Sequence, residues 1–135
     1  MSSFTTTLCS SVDGIDPVVF EAVNADKNVY FSKPFLNAFE RSNPQIEFKY
    51  ITVSDSHKNT VALGLVQIIS LSVEGTLKNI KVAPFIRKFL RLFFWNEHIK
   101  ILFCGNVFLS GEHGISTSNK VSEIEIMNQI GTALD

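Results

Sequence analysis

Two neighbouring stretches of the chain carry the clearest strand patterns. Ile46–Ser54 begins with apolar residues that alternate with Glu47 and Lys49, which is typical of a strand with one buried face. Residues 60–73 are apolar at nearly every position, which predicts a central strand covered on both faces. Because the polar residues 55–59 form a turn between them, the two stretches are predicted to form an antiparallel hairpin.

A third apolar run, residues 99–109, is predicted to be a buried strand around which the rest of the chain is organised. The run is interrupted at Gly105, and a glycine inside a strand usually marks a bulge or a close approach of two backbones. A polar cluster that includes Glu112 and His113 follows it and ends at Gly114. Since binding groups are commonly carried on loops that a rigid strand positions, this cluster is the first candidate site.

Four helices are predicted around these strands. Asp16 and Pro17 begin the first, as N-cap and first helical residue, and residues 35–41 form the second. Residues 84–95 and 122–134 show the spacing of amphipathic helices. The apolar positions expected to face inward are Phe85, Ile86, Phe89, Leu90, Phe93 and Phe94 in the third helix, and Ile126, Met127, Ile130, Ala133 and Leu134 in the last.

The helix over residues 84–95 admits two interpretations. Its apolar face is opposed by Arg87, Lys88 and Arg91. We favour a helix packed on the sheet with a solvated basic face, which is the commoner arrangement. The alternative is a helix that rests on a membrane surface, although three basic residues make a weak anchor.

Length and composition indicate one globular domain of 135 residues with an α+β fold, in which Val29–Phe31 is a further short strand candidate. The Ser/Thr-rich residues 1–13 are expected to be flexible. A net charge of −1 provides no general attraction for nucleic acid, so we expect no nucleic-acid partner. Cys9 and Cys104 are too few for a disulfide framework, and Cys104 is expected to be a small buried hydrophobe.

The first residues have neither a basic region nor a sustained apolar segment, so a secretory signal is not expected. No stretch reaches the roughly 18 apolar residues that a membrane span requires. We therefore expect a cytoplasmic protein without a membrane span. Phosphate-binding glycine loops, paired-histidine metal motifs and nucleophile elbows are all missing from the sequence, and no metal site is predicted. His57 and His98 are interpreted as solvated residues.

Two groups of polar residues are weighed as site candidates. Gln67 is the one amide within an apolar strand, and we favour an amide that bonds a neighbouring backbone over one that lines a cleft. Glu112 and His113 are adjacent, so on an extended segment they point to opposite sides. One of them would face a cleft, where Glu112 could act as general base on an amine. The alternative, a polar turn that satisfies its own backbone, stays open.

Several segments together resemble the N-terminal half of bacterial GNAT-like N-acyltransferases and, more distantly, the Fem-type peptidoglycan-bridge aminoacyltransferases. The similarity runs from about residue 16 to the end of the chain and is most distinctive over residues 104–114. The segments that carry it are NVYFSKPFLNAFE at residues 28–40, the strand at 48–54, the strand at 61–69 with Gln67, and CGNVFLSGEHG at 104–114.

The resemblance implies a mixed, mainly antiparallel sheet with helices on both sides, in which residues 99–109 form a central strand that splays from its neighbour. It implies an acyl-CoA cosubstrate, usually acetyl-CoA, whose pantetheine arm enters that gap, and a small-molecule amine as acceptor. The site residues that it suggests are Glu112 and His113 for catalysis, Gln67, Asn106 and Ser110 for substrate binding, and Ser116, Thr117, Ser118, Asn119 and Lys120 for the cofactor pyrophosphate, at a helix N-terminus.

The chain departs from the family in two respects. Residues 116–120 are not the glycine-rich pyrophosphate loop of the superfamily, and the strands expected after the last helix do not follow. We therefore expect either an N-acyltransferase domain, as a single domain or as the N-terminal half of one, or a non-catalytic half-domain. The second would form a homodimer, or bind a C-terminal half or another partner, through an exposed sheet edge.

Overall fold

A computed structural model of the chain describes residues 4–72, 75, 81, 83–94, 98–107, 114–118 and 122–134. Within them, five strands form one sheet in which every pair is antiparallel, and helices cover both faces. The elements are β1 (Thr5–Cys9), α1 (Pro17–Ala22), α2 (Lys33–Ser42), β2 (Ile46–Ser54), β3 (Thr60–Ser72), α3 (Pro84–Phe94), β4 (His98–Cys104), β5 (Ile115–Thr117) and α4 (Glu123–Leu134). The predicted α+β class with a mainly antiparallel sheet is confirmed.

The predicted hairpin is the centre of the sheet. The strands β2 and β3 pair in register from Ile46, opposite Ile69, to Tyr50, opposite Leu65, and on toward the turn. In that turn the Asp55 carboxylate accepts hydrogen bonds from the backbone N–H of His57, at 2.9 Å, and of Asn59, at 2.8 Å. The sheet order β1-β2-β3-β4 makes β3 a central strand, as its apolar pattern predicts.

Two hydrophobic cores lie on opposite faces of the sheet, because successive side chains of a strand point to opposite sides. The first joins α1, α2 and the neighbouring turns to the sheet through Phe20, Val23, Phe31, Leu36, Phe48, Tyr50, Leu63 and Leu65. The second packs α4 on the other face through Ile51, Val53, Ala62, Val66, Ile126 and Ile130. The helices therefore lie on both sides of the sheet.

The N-terminal segment differs from the expectation of flexibility. β1 pairs with β2 along its whole length, from Thr5 opposite Ser54 to Cys9 opposite Tyr50. After it, the Glu40 carboxylate accepts from the Ser11 hydroxyl at 3.0 Å and from the Val12 N–H at 2.8 Å. The polar composition is compatible with a strand because threonine fits a sheet well and an edge strand needs no apolar outer face.

The local signals for helices are confirmed, whereas one predicted strand is wrong. The Asp16 side chain accepts from the Val18 N–H at 3.0 Å, with Pro17 as the first residue of α1, and α2 contains the predicted residues 35–41. Val29–Phe31 is a 3₁₀ turn rather than a strand. The side chain of Asn28 accepts from the Tyr30 N–H at 3.0 Å, and this local bond closes the chain into a turn despite its β-prone residues.

The predicted strand over residues 99–109 forms in its first part and pairs with β3, but it is not central in the described sheet. The observed strand, β4, ends at Cys104 and pairs with β3 at the margin of the described sheet. Most of its side chains are exposed, and Ile99 keeps 55% of its surface in contact with solvent. Phe108 and Leu109 lie outside the described residues. An apolar run predicts a strand but does not tell which elements cover it.

The helix α3 is confirmed, but the favoured packing of its apolar face is not. Phe85 and Phe89 are 75% and 59% exposed instead of packed on the sheet. The side chains of Leu90, Phe93 and Phe94 are not among those that the structure describes, and neither is Trp95. No helix in the described parts of the chain is long and apolar enough to span a membrane.

The last helix follows its prediction in part. Ile126 and Ile130 are buried in the second core, and Leu134 packs against it. Met127 is 48% exposed and Ala133 is also exposed, so these two residues do not face inward as expected. The helix begins after Ser122, whose carbonyl accepts from the N–H of Glu125 at 3.1 Å and from that of Ile126.

Candidate functional site

The edge of β3 changes its partner in the middle of the strand, and this break is the most unusual feature of the sheet. β4 pairs with residues 66–72 of β3, whereas β5 pairs with residues 62–64 along the same edge. Leu65 lies between the two and bonds both ends of the gap: its N–H donates to the Gly114 carbonyl at 2.7 Å, and its carbonyl accepts from the Gly105 N–H at 2.8 Å. The chain therefore leaves β3 at Gly105 and returns to it at Gly114.

Two glycines make this close approach possible. A Cβ on Gly114 would overlap the backbone of Gly105 and the carbonyl carbon of Cys104. Gly105 has φ = 125°, in the region that side chains with a Cβ rarely adopt. The prediction of a bulge at Gly105 located the irregularity correctly but underestimated it, because a bulge adds one residue and this break separates two strands.

Gln67 is joined to the break on the face of the first core. Its side chain is fully buried, and its Oε1 accepts from the N–H of Val107 at 3.0 Å. The favoured interpretation, an amide that bonds a neighbouring backbone, is confirmed for this oxygen. Its Nε2 is buried without a hydrogen-bond partner among the described residues. Asn106 precedes Val107 and is half-buried, so the structure brings two of the three predicted substrate residues to the break.

The predicted catalytic pair and the third substrate residue lie outside the described residues. These are Glu112, His113 and Ser110, and their roles stay predictions. Glu112 and His113 immediately precede Gly114 in the sequence, and Gly114 is bonded to Leu65. The other two histidines are exposed as expected, His57 in the turn after β2 and His98 at the start of β4.

The predicted pyrophosphate residues are divided between a strand and a part of the chain that the structure does not describe. Ser116 and Thr117 belong to β5. The Ser116 hydroxyl donates to the Val23 carbonyl at 3.0 Å, so it tethers β5 to the end of α1. The N–H of Ser118 donates to the Val61 carbonyl at 2.8 Å, and its buried hydroxyl has no partner within the described residues. Asn119 and Lys120 lie outside them.

A cleft of about 380 Å³ opens on the other face of the sheet, between the break and α4. Its lining is mainly apolar and consists of Cys104, Gly114, Ile115, Met127, Ile130, Gly131 and Leu134. None of the predicted site residues that the structure describes lines this cleft. Gly131 is the residue in the sequence that points to the cleft, because a glycine inside a helix lowers its stability and usually has a structural reason. In the structure, a Cβ added at Gly131 would meet no atom within 4 Å.

Cys104 is the one thiol in the cleft lining, and the expectation that it is a small buried hydrophobe is wrong. The residue is exposed at the end of β4, which explains why its place in an apolar run was misleading. Partial burial of the thiol against the cleft raises the pKa of Cys104, so at neutral pH it is a thiol rather than a thiolate.

The other ionisable groups do not form a second candidate site among the described residues. Burial, followed by the nearby Glu40 carboxylate, raises the pKa of Tyr50 far above its ordinary value, so its hydroxyl stays neutral in the first core. Among the described residues, no three of the His, Cys, Asp and Glu side chains come together as a metal site would require. The break and its cleft are therefore the best-supported candidate site in the described structure.

A comparison with protein-family models finds no match to this chain, and comparisons with curated proteins and with solved structures find none that is significant. The functional argument consequently rests on the residues and geometry of the site and on the resemblance of the sequence segments.

Proposed function

We propose that this chain carries part of an acyl-CoA N-acyltransferase site, and that the cleft between the break and α4 accepts the pantetheine arm of the thioester. The break carries this proposal, because β3 changes its edge partner at Leu65 where the cleft opens beside Cys104 and Gly114. The resemblance implies the same order: a gap in the sheet followed by a helix. A cleft of about 380 Å³ is also in the range of small-molecule sites.

The proposed reaction transfers an acyl group to an amine. The amine nitrogen attacks the thioester carbonyl, the carbon–sulfur bond breaks, and coenzyme A leaves as a thiolate that is then protonated. A carboxylate takes the proton from the amine, directly or through one water, and Glu112 is our candidate, with His113 as the alternative. Most of the acceleration would come from holding the amine and the thioester together.

Cofactor affinity is expected to be low. The Ser116 hydroxyl is engaged by the Val23 carbonyl, and the segment 116–120 lacks the glycines that let a backbone surround a pyrophosphate. Lys120 supplies one positive charge near the start of α4, where a helix N-terminus favours an anion. We therefore expect a dissociation constant for acetyl-CoA weaker than about 0.1 mM.

Gly131 provides a direct test, because a side chain there enters the cleft without a clash. We expect calorimetric titration with acetyl-CoA to show weak binding by the unmodified chain, loss of binding by Gly131→Leu, and retention by the matched control Gly131→Ala. Loss of binding in Lys120→Ala would support a pyrophosphate site near residues 116–120. Unchanged binding in Gly131→Leu would exclude the cleft.

Alkylation of Cys104 is an independent measure of occupancy. Acetyl-CoA in the cleft should slow the reaction of Cys104 with iodoacetamide at mildly alkaline pH, as followed by mass spectrometry of the peptides. Cys9 serves as the internal control, since it lies at the end of β1, away from the cleft lining, with its Sγ 3.2 Å from the Ser11 carbonyl. Equal slowing at both cysteines would indicate a general effect and not an occupied cleft.

A non-catalytic half-domain is the second candidate, and the exposure of β4 favours it. Ile99 and Leu102 are 55% and 46% exposed on a strand at the margin of the described sheet, which is the surface that strand addition by a partner would use. Concentration-dependent self-association that is lost in Ile99→Lys, together with no acetyl-CoA binding, would select this function over acyl transfer.

A further inference from the structure

The helix α3 exposes large apolar side chains, which a helix on the surface of a globular protein normally packs against the core. Phe85, Phe89 and Leu92 are 75%, 59% and 79% exposed. Their spacing of four and three residues aligns them along one side of the helix, and we refer to these three as the apolar ridge. Ile86, further around the helix, is less exposed at 38%. The ridge is therefore the outward-facing part of the apolar surface of α3.

Basic side chains accompany the ridge. Arg87, Lys88 and Arg91 are all exposed, and α3 contains no acidic residue. The asymmetry extends beyond the helix: residues 78–100 hold six of the twelve Lys and Arg residues of the chain but one of its thirteen Asp and Glu residues. The remainder of the chain is acidic, so the net charge of −1 conceals a strongly cationic segment around α3.

We propose that α3 binds an anionic lipid surface, lying in the plane of the interface with the apolar ridge at the boundary of the acyl chains. An interfacial helix of this kind combines an apolar face with lysine and arginine that reach the headgroups. Each basic residue near an anionic surface strengthens binding by about fivefold, so the cations of α3 favour anionic over neutral lipid. The proposal is independent of acyl transfer.

Charge argues against a second copy of this chain on the same surface. A symmetric contact through the ridge would bring the cations of α3 from both molecules to one interface, where α3 offers no acidic residue to pair with them, and like charges oppose association. A nucleic acid would satisfy the cations, but it offers no apolar layer to cover Leu92, which is 79% exposed. An anionic bilayer satisfies both the ridge and the charges.

Vesicle flotation with the full chain tests the proposal. Large vesicles of phosphatidylcholine with one quarter phosphatidylglycerol are compared with pure phosphatidylcholine vesicles at low and high salt. We expect at least about tenfold stronger binding to the anionic vesicles, and weakening by salt. Phe85→Ala combined with Leu92→Ala, and separately Lys88→Glu, should each lower this binding by about tenfold.

Matched controls use exposed residues elsewhere. Val18 and Val29 are 64% and 62% exposed, so Val18→Ala combined with Val29→Ala removes exposed apolar surface outside α3, and Lys27→Glu repeats the charge reversal. These variants should bind as the unmodified chain does, and all variants should keep its melting temperature. No binding to anionic vesicles, or equal binding to both lipids, would overturn the proposal. So would lipid-free dimerisation that the ridge variant abolishes, since it would assign α3 to a second copy.

Discussion

The two ends of β3 differ in composition and in environment: residues 61–67 are mostly apolar, whereas residues 70–72 read Ser-Leu-Ser. Residues 61–67 are buried on both faces, between α1 and α2 on one side and α4 on the other. Residues 70–72 are exposed; they pair with β4 on one edge, whereas the pairing with β2 on the other edge reaches only to Ile69. The exposed end therefore differs from the buried end both in its strand pairing and in the helices that cover its side chains.

The buried end of β3 therefore contributes most to stability, whereas the exposed end is accessible to interaction partners. Buried apolar contacts hold the first half in place, and segments with few such contacts open more readily. One proposed interaction surface, the β4 edge, adjoins the exposed half, and the proposed cleft lies where the two halves meet at Leu65. The comparison predicts that equal substitutions at the two ends of β3 have very unequal effects.

The largest expected effect comes from a charge placed at each end of the strand. Leu65 is 1% exposed and Leu71 is 39% exposed, and both side chains are on the same face because their positions differ by an even number. Leu65→Asp should cost at least about 4 kcal/mol of unfolding free energy, because it buries an unpaired carboxylate, whereas Leu71→Asp should cost less than about 1 kcal/mol. Urea denaturation followed by circular dichroism measures both.

Milder variants keep this comparison measurable if Leu65→Asp does not fold. Leu65→Ala should then cost about 2–4 kcal/mol, and Leu71→Ala within about 0.5 kcal/mol. Lys88→Ala on the exposed α3 serves as a neutral reference. Similar losses at positions 65 and 71 would mean that the second half of β3 is covered in solution.

A methyl group added at either side of the cleft should have opposite effects. Gly114→Ala introduces a Cβ into the backbone of Gly105 and Cys104, which cannot move aside as a flexible side chain does, so we expect a loss of about 2–3 kcal/mol. Gly131→Ala meets nothing within 4 Å and replaces a helical glycine, so it should stabilise the protein by up to about 1 kcal/mol. Thermal unfolding of both variants decides this, and a destabilised Gly131→Ala would contradict the open cleft.

Local sequence signals predicted the parts of the fold that depend on neighbouring residues. The Asp16–Pro17 start of α1, the hairpin of β2 and β3, and the existence of α3 and α4 all follow from capping residues and periodicity. Apart from the 3₁₀ turn at Val29–Phe31 and the strand β1, the failures concern coverage. The strand at residues 99–109 and the apolar face of α3 look buried in sequence, but burial depends on partners far away in the chain, which a single sequence does not specify.

The candidate site was predictable to a similar extent. Gly105 marked the irregular point, and Gln67 was identified as an amide that would bond a neighbouring backbone. The residue pattern alone does not predict the break, because Gly114 stands at the end of a polar cluster, whereas the resemblance implies a strand that splays from its neighbour. Only the bonds of both glycines to Leu65 show that β4 and β5 share one edge. The cleft was missed because it depends on how α4 packs beside that edge.

Removal of the hydrogen bond that Gln67 accepts, at the boundary between the two ends of β3, should have a smaller effect on stability. Gln67→Leu preserves the size of the side chain but leaves the Val107 N–H without its acceptor, so we expect a loss of about 1–2 kcal/mol. Ser116→Ala, which removes the bond to the Val23 carbonyl, should cost about 1 kcal/mol or less. Chemical denaturation of both variants measures the difference. A neutral Gln67→Leu would show that Val107 is solvated and that the segment after Gly105 is not held to β3.

The smallest effect concerns the turn that closes the buried end of the hairpin. The hydrogen bond from the Asn59 N–H, together with bonds from the Asn59 side chain and the His57 N–H, lowers the pKa of the Asp55 carboxyl. The unfolded chain has the ordinary value of about 3.9, so it binds the proton more readily than the folded chain.

Asp55 therefore contributes stability that is present above about pH 4 and is lost as the pH falls through its lower folded pKa. The carboxylate is fully exposed, so the effect is small. The difference in melting temperature between the unmodified chain and Asp55→Ala should be largest near pH 6 and should narrow toward pH 2. A difference that stays constant over this range would mean that Asp55 acts through turn geometry alone. The buried end of β3 would then owe nothing to the ionisation of its turn, and its stability relative to the exposed end would rest on the helices that cover it.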